Sequence, residues 1–269
     1  MQKKVVLITG ATSGIGKSMA DTLAKEEYIV YATGRNIPSQ SDIKNLHYKY
    51  LDVKNNDSVL GAVKDIMEHN SQIDVLINCA GLGLAGPLEE IPFDEIYNLY
   101  ETNFFGTIRV IKHVIPIMRQ AGGGLIVNIS SIGGKVGLPF QSIYSSSKFA
   151  IESLTETLSI ELKPFGIYVC LIEPGDYSTN VNKNRKTVEP AKESPYFERL
   201  KGFFDLLEQN INRGSKPQKI NKLILKIVQS KSPKLRYRSG KFFERITPAA
   251  KGIIPDRIFE KIISRFYKI

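Results

Sequence analysis

The chain has 269 residues and a formal net charge of +10, with 42% apolar and 24% charged residues. That balance excludes a disordered or low-complexity protein, and no run approaches the length of about 18 apolar residues that a membrane-spanning helix needs. The charge is uneven: residues 1–182 carry 15 Lys/Arg against 19 Asp/Glu, net −4, and residues 183–269 carry 22 against 8, net +14.

The N-terminal run Val5-Val6-Leu7-Ile8-Thr9 follows two lysines as a signal peptide would, but Gly10 breaks it too early, so it reads as a buried strand. Further strands are expected at 29–33, 47–53, 74–79, 124–130 and 168–173. Helical periodicity lies between them at 16–26, 57–70, 93–121 and 141–163. Strands apolar on both faces, alternating with helices, predict an α/β fold: one domain (1–269) built on a doubly wound parallel sheet of the Rossmann type. Residues 1–182 would form its cofactor-binding and catalytic core. Beyond 182 the pattern turns helical at 196–211, 217–230 and 256–267, with a short strand-like piece at 234–238. No Pro/Gly/Ser-rich linker precedes this part, so it reads as a helical extension covering the substrate. Cys79 and Cys170 sit in apolar runs, which suits buried free thiols in a reducing cytoplasm.

The first strand runs into Thr9-Gly10-Ala11-Thr12-Ser13-Gly14-Ile15-Gly16 and then a helix. Gly10 and Gly14 let backbone approach a pyrophosphate, Gly16 lets the helix pack closely, and the helix N-terminus faces the anion. The second strand ends at Thr33-Gly34-Arg35. A preference for NAD would place a carboxylate here; an arginine suits a 2′-phosphate, although it can also be a solvated strand end. NADP(H) is therefore expected over NAD(H). Asp52 and Val53, read as closing the third strand, can meet the adenine; Asp52 can also cap the next helix, for which Asn56 and Asp57 are better placed.

Asn78-Cys79-Ala80-Gly81 closes the fourth strand and would line the same crevice. Ser131 ends the fifth strand, where it can donate to a carbonyl oxygen. Tyr144 and Lys148 lie four apart, on one helix face. A lysine cation there favours the phenolate, and a positioned phenol is a usable general acid or base. Either observation alone is usually just a helix surface.

Together, these segments resemble the short-chain dehydrogenase/reductase family over about residues 4–182. The glycine turn T-G-x-x-x-G-x-G matches Thr9 to Gly16, and N-x-A-G matches Asn78 to Gly81. A family asparagine matches Asn103, and Ser131, Tyr144 and Lys148 match the Ser, Tyr-x-x-x-Lys set. P-G-x-x-x-T matches Pro174, Gly175 and Thr179. The resemblance implies hydride transfer between nicotinamide and a carbonyl or secondary alcohol. Tyr144 would be the acid/base, Ser131 would hold the oxygen, and Lys148 would bias Tyr144 and bond the nicotinamide ribose. Asn103 would hold a water in a relay, and residues 174–179 would close over the carboxamide. It also implies a homo-oligomer, a dimer or a tetramer. Thr33-Gly34-Arg35 looks like the NADP(H)-preferring branch, with Ser13 where some members carry a basic residue. Gly137-Leu138-Pro139-Phe140, the Glu173-Pro174-Gly175 turn and the basic tail look most like hydroxysteroid and retinol dehydrogenase-type members.

No metal-ligand spacing joins His47, His69 and His113. The aromatic face of 196–207 is either a lid over a hydrophobic substrate or core packing, with Gly202 and the 180–187 run as hinges. In the last helix Ile258, Phe259, Ile262, Ile263, Phe266 and Ile269 share a face that can dock on the domain itself, on a second subunit or peripherally on an anionic membrane. Nucleic-acid binding is not expected, because the tail has no reading motif. A nucleotide-binding regulator that has lost its chemistry is the alternative to an enzyme, and retention of Asn103, Ser131, Tyr144 and Lys148 argues against it.

Overall fold

The computed structural model describes residues 3–178, 185–188 and 192–269. In chain order, the elements begin β1 (Val5–Thr9), α1 (Gly14–Lys25), β2 (Ile29–Gly34), β3 (Leu46–Tyr50), α2 (Asn56–Asn70), β4 (Val75–Asn78) and β5 (Gly83–Ala85). They continue with α3 (Phe93–Tyr100), α4 (Gly106–Gln120), β6 (Gly124–Ile129), α5 (Ser142–Glu161), β7 (Ile167–Pro174) and β8 (Arg185–Thr187). The last are α6 (Phe197–Asn212), α7 (Gln218–Gln229), β9 (Arg236–Ser239), α8 (Phe242–Lys251) and α9 (Asp256–Tyr267).

Seven strands form a parallel sheet in the order β3-β2-β1-β4-β6-β7-β9. Side chains alternate across each strand. Val6 and Ile8 of β1 pack with α1 and α7 on one face (Met19, Leu23, Ile220, Ile224), whereas Val5 and Leu7 pack with α2 and α4 on the other (Ile66, Val110, Val114). The central strands are thus apolar on both sides, as a helix-covered parallel sheet requires. The chain order reverses between β1 and β4, so their carboxyl ends open a crevice at the switch point.

Three expected boundaries move. The third strand stops at Tyr50 rather than 53: the Asp52 backbone N–H donates to Ser58 Oγ (3.0 Å), and the Lys54 N–H donates to the Asp52 carboxylate (3.0 Å). This local turn turns the chain out of the sheet before Asp52 and Val53. The cap of α2 is Asn55, whose side chain accepts from Ser58 N, rather than Asn56 or Asp57. The single helix expected over 93–121 is α3 and α4 joined by a π-helical turn, Glu101–Phe105.

The strand-like piece expected at 234–238 is β9, which adds the seventh strand beside β7. Beyond it, β8 pairs with β5 as a two-stranded parallel ribbon that was not expected. β9 also brings two arginines to buried acids. Glu152 of α5 and Glu173 of β7 have side chains 3% and 0% exposed; Arg236 Nε lies 3.2 Å from Glu152 and 3.3 Å from Glu173, and Arg238 Nε lies 2.9 Å from Glu173. Lys135 completes the network at 3.3 Å from Glu152. A buried carboxylate without such partners would cost several kcal/mol (about 3–5).

Candidate active site

The cofactor end is built from two touching turns. Gly10 has φ +64°, and a Cβ there would lie 2.6 Å from Ala80 Cα, so only glycine lets the turn after β1 meet the turn after β4. Thr9 Oγ1 fastens the contact by accepting from the backbone N–H groups of Cys79 (3.1 Å) and Ala80 (3.2 Å). Gly16 packs equally tightly, its Cβ position 2.4 Å from Gly10 O, whereas the space beyond Gly14 (φ +57°) is open. Ser13 is the N-cap of α1 and its hydroxyl makes no capping hydrogen bond among the described residues, and Ile15 and Gly16 lie in the first turn. A helix N-terminus with free N–H groups, a free hydroxyl and open space fits an anionic pyrophosphate.

Thr12 packs over Gly34, where a Cβ would meet Thr12 Oγ1 at 2.8 Å. Arg35 projects into solvent just beyond. Val53 is turned into the core against Gly106, and its carbonyl accepts from Arg109 Nη1 at 2.8 Å. Gly175 N donates to Ser239 O (2.7 Å), so residues 174–175 are tied to β9. Thr179 lies outside the described residues.

The chemical end assembles around two glycines. A Cβ on Gly133 would be 3.4 Å from both Ser131 Oγ and Tyr144 Cε1, and one on Gly81 would be 3.4 Å from Asn103 Oδ1 and 3.7 Å from Lys148 Nζ. Ser131, Tyr144 and Lys148 are thereby brought together beside the Asn78–Gly81 turn. Lys148 is 6% exposed; its ammonium donates to Ile129 O at 2.9 Å and lies 5.9 Å from the centre of the Tyr144 ring. A lysine held this way keeps its cation beside the phenol.

Asn103 is buried because the π-helical turn adds one residue to the helix and rotates it inward, a distortion common at functional sites. Its side chain clamps Leu82 from both sides, accepting from Leu82 N (2.7 Å) and donating to Leu82 O (3.0 Å), and also donates to Ser147 Oγ (3.3 Å). Its carbonyl accepts from Thr107 (3.0 Å). Asn78 donates to Asn128 (2.9 Å), which donates to Thr155 (2.9 Å), and Asn78 Oδ1 is buried with no partner among the described residues. Asn128 is a supporting residue that the motifs do not include; a lone polar residue inside the apolar run of β6 is the signal that points to it, whereas Thr9, the first residue of the glycine turn, shows its clamping of the Cys79–Ala80 turn only in the structure. Burial pushes both the Cys79 and Cys170 thiols up to about 12, so neither is a ready nucleophile.

Above this site α6 buries Leu200, Phe203, Leu207 and Ile211 with Tyr267 of α9. Gly202 lies in mid-helix, so a hinge is not found there. The face expected on α9 is split. Phe259 and Tyr267 are buried, while Ile258, Ile262 and Phe266 are exposed.

The short chain dehydrogenase family model matches residues 4–190. The 3-ketodihydrosphingosine reductase of Bacteroides thetaiotaomicron is 39% identical over 270 residues, covering 100% of both chains. Human 17-beta-hydroxysteroid dehydrogenase type 1 is 33% identical over 95% of this chain and 82% of its own. Among solved structures, a short-chain dehydrogenase from Streptomyces avermitilis superposes with a TM-score of 0.83 at 28% identity, covering 98% of each chain. The alcohol dehydrogenase of Thermococcus sibiricus, complexed with 5-hydroxy-NADP, gives 0.72 at 25% identity over 90% of this chain and 98% of its own. This chain belongs to the short-chain dehydrogenase family and is an NAD(P)-dependent oxidoreductase.

Proposed function

We propose that the protein interconverts a carbonyl and a secondary alcohol on a hydrophobic molecule, using NADP(H) in preference to NAD(H). The observation that carries this reading is the convergence of Ser131, Tyr144 and Lys148 beneath an apolar cover. When bound, the cofactor supplies or accepts the hydride. The first turn of α1 and Ser13 would hold its pyrophosphate, and Arg35 its 2′-phosphate. Ser131 Oγ donates to the substrate oxygen and opposes its developing charge. In reduction, the Tyr144 hydroxyl gives its proton to that oxygen; in oxidation the phenolate takes it back. Lys148 stabilises the phenolate and reaches the nicotinamide ribose, and Asn103 keeps the Leu82 segment against the site.

The relatives named for a sphingoid ketone and a steroid support a lipophilic substrate. The neighbour complexed with 5-hydroxy-NADP supports the cofactor. The test is nicotinamide absorbance during incubation with long-chain, steroid and small ketones and each cofactor. Turnover of lipophilic ketones with NADPH is expected, and Arg35→Asp should move the preference towards NADH by at least tenfold. A dead panel with tight NADPH binding would instead favour a regulatory nucleotide-binding protein.

A second observation bears on where such a substrate is met. Phe242, Phe243, Ile246, Ile253, Ile258, Ile262 and Phe266 are all exposed on or between α8 and α9. Arg245, Lys251, Arg257, Lys261 and Arg265 are interspersed with them. Apolar anchors set among cations match an anionic lipid surface, and among the described residues no helix is long and apolar enough to cross a membrane. Sedimentation with phosphatidylglycerol-containing vesicles should be lost in Phe243→Ser/Ile262→Ser and in pure phosphatidylcholine. Equal binding to both vesicle types would remove this reading.

A further inference from the structure

The segment that follows β7 is held in place by the last third of the chain. Pro174 ends β7 at the carboxyl edge of the parallel sheet, the edge at which the glycine turn also opens. Residues 175–178 are then each tied to the extension. Gly175 N donates to Ser239 O (2.7 Å), Ser215 N donates to Asp176 O (2.8 Å), and Ser178 N donates to Ser215 O (3.0 Å). The Tyr177 hydroxyl shares a hydrogen bond with Ser239 Oγ.

One side chain of α8 completes this clamp. Glu244, in the first turn of α8, is half-buried, and its carboxylate lies between two glycines. A Cβ on Gly175 would collide with Glu244 Oε2 and would stand 2.6 Å from its Cδ and 3.1 Å from its Cβ. A Cβ on Gly240, where φ is +151°, would collide with the same oxygen and stand 3.2 Å from Gly175 Cα and N. The acid thus occupies space that any other residue at 175 or 240 would need, and the two glycines are what admit it. Its Oε2 is fixed there by the Lys241 backbone N–H, which donates to it at 2.7 Å.

The helix that carries Glu244 is itself anchored near both ends. Arg238 Nη1 of β9 donates to Arg245 O (3.3 Å), and Lys251 Nζ donates to Lys135 O (3.1 Å), four residues past Ser131. An acid that satisfies a free N–H in the first turn of a helix is an ordinary cap. Capping does not require the stem of that acid to fill the space over a glycine of the cofactor segment.

We infer that Glu244 is a positioning residue for the cofactor: lodged between Gly175 and Gly240, it fixes the Pro174–Gly175 turn from which the next residues meet the nicotinamide half of NADP(H). This deepens the reading above and rests on it. Glu244 touches no reacting atom, so its loss weakens cofactor binding and leaves the chemical step nearly as it was. Reach matters here and charge does not. Glutamine keeps the length and an oxygen for Lys241 N; aspartate still caps the helix but draws back by one methylene.

Titration of NADPH by its own fluorescence, with ketone turnover and the urea midpoint read on the same variants, tests this. Glu244→Ala and Glu244→Asp should raise the NADPH Kd and KM by about tenfold or more with kcat within about threefold, and Glu244→Gln should stay within about twofold of the parent. Gly175→Ala, whose methyl meets Glu244, should also bind NADPH weakly. Gly175→Ala/Glu244→Ala should bind it more tightly than Gly175→Ala alone, because the vacated space takes the methyl. Parental affinity in Glu244→Asp overturns the inference, since a role confined to capping predicts that result. A lowered urea midpoint with unchanged NADPH affinity in Glu244→Ala overturns it as well, and both readings stand even if Gly175→Ala fails to fold. Absence of ketone turnover with the affinity pattern intact counts against the carbonyl chemistry and not against Glu244.

Discussion

The first two-thirds of the molecule and its last third meet at one sheet but are organised by different demands. The strand–helix core is net acidic, and its polar residues gather where carboxyl ends of strands face the crevice. The last third is strongly basic, and part of that basicity turns inward: Arg236 and Arg238 neutralise Glu152 and Glu173, which the core buries. The remainder lies among exposed apolar side chains on α8 and α9. A charge asymmetry that looks like a partner-binding tail is thus partly an internal complement, and only residues outside this seam are free for an external surface.

The largest expected effect separates chemistry from architecture. Tyr144→Phe should lower kcat by about 10³-fold or more, about 4 kcal/mol of transition-state stabilisation, with NADPH affinity within about twofold of the parent. Retained turnover would take the phenol out of the mechanism. Next, Phe203→Ala should cost about 3–4 kcal/mol, because the ring is fully buried. One cooperative urea transition is expected; two would mean that the α6–α9 cluster folds apart from the core and would break the comparison. Arg238→Ala strips one partner from a buried carboxylate while Arg236 remains, and should cost about 2–3 kcal/mol in the same assay. An unchanged midpoint would show the seam to be ornamental.

The smallest effect concerns pH. Burial holds the Glu173 carboxyl above its ordinary value of 4.5 even though Arg238 pulls it down. Between the two values the native chain holds more proton there than the unfolded chain does. The contribution favours folding below the unfolded value and is lost as pH rises through the native one. Stability measured across that window should flatten in Glu173→Gln.

Sheet and crevice were legible because strands buried on both faces leave continuous Val/Ile/Leu runs and because the glycine turns sit at strand ends. The π-helical turn at Glu101–Phe105 was not legible, since an added residue hardly disturbs hydrophobic spacing over 93–121. The β5/β8 ribbon escaped because three-residue strands have no period to detect, and its pairing joins residues about a hundred apart. α8 escaped because Pro248 interrupts its helical signal. Asp52 and Val53 were overextended into a strand because propensity cannot see Ser58 capturing the Asp52 N–H.

The contact of Gly10 with Ala80 leaves no slack between the nucleotide turn and the turn beside the reactive groups. The two must travel as one piece, so widening the mouth for a bulky guest cannot come from spreading the sheet at its switch point. Admission and exit are left to the segments layered above it.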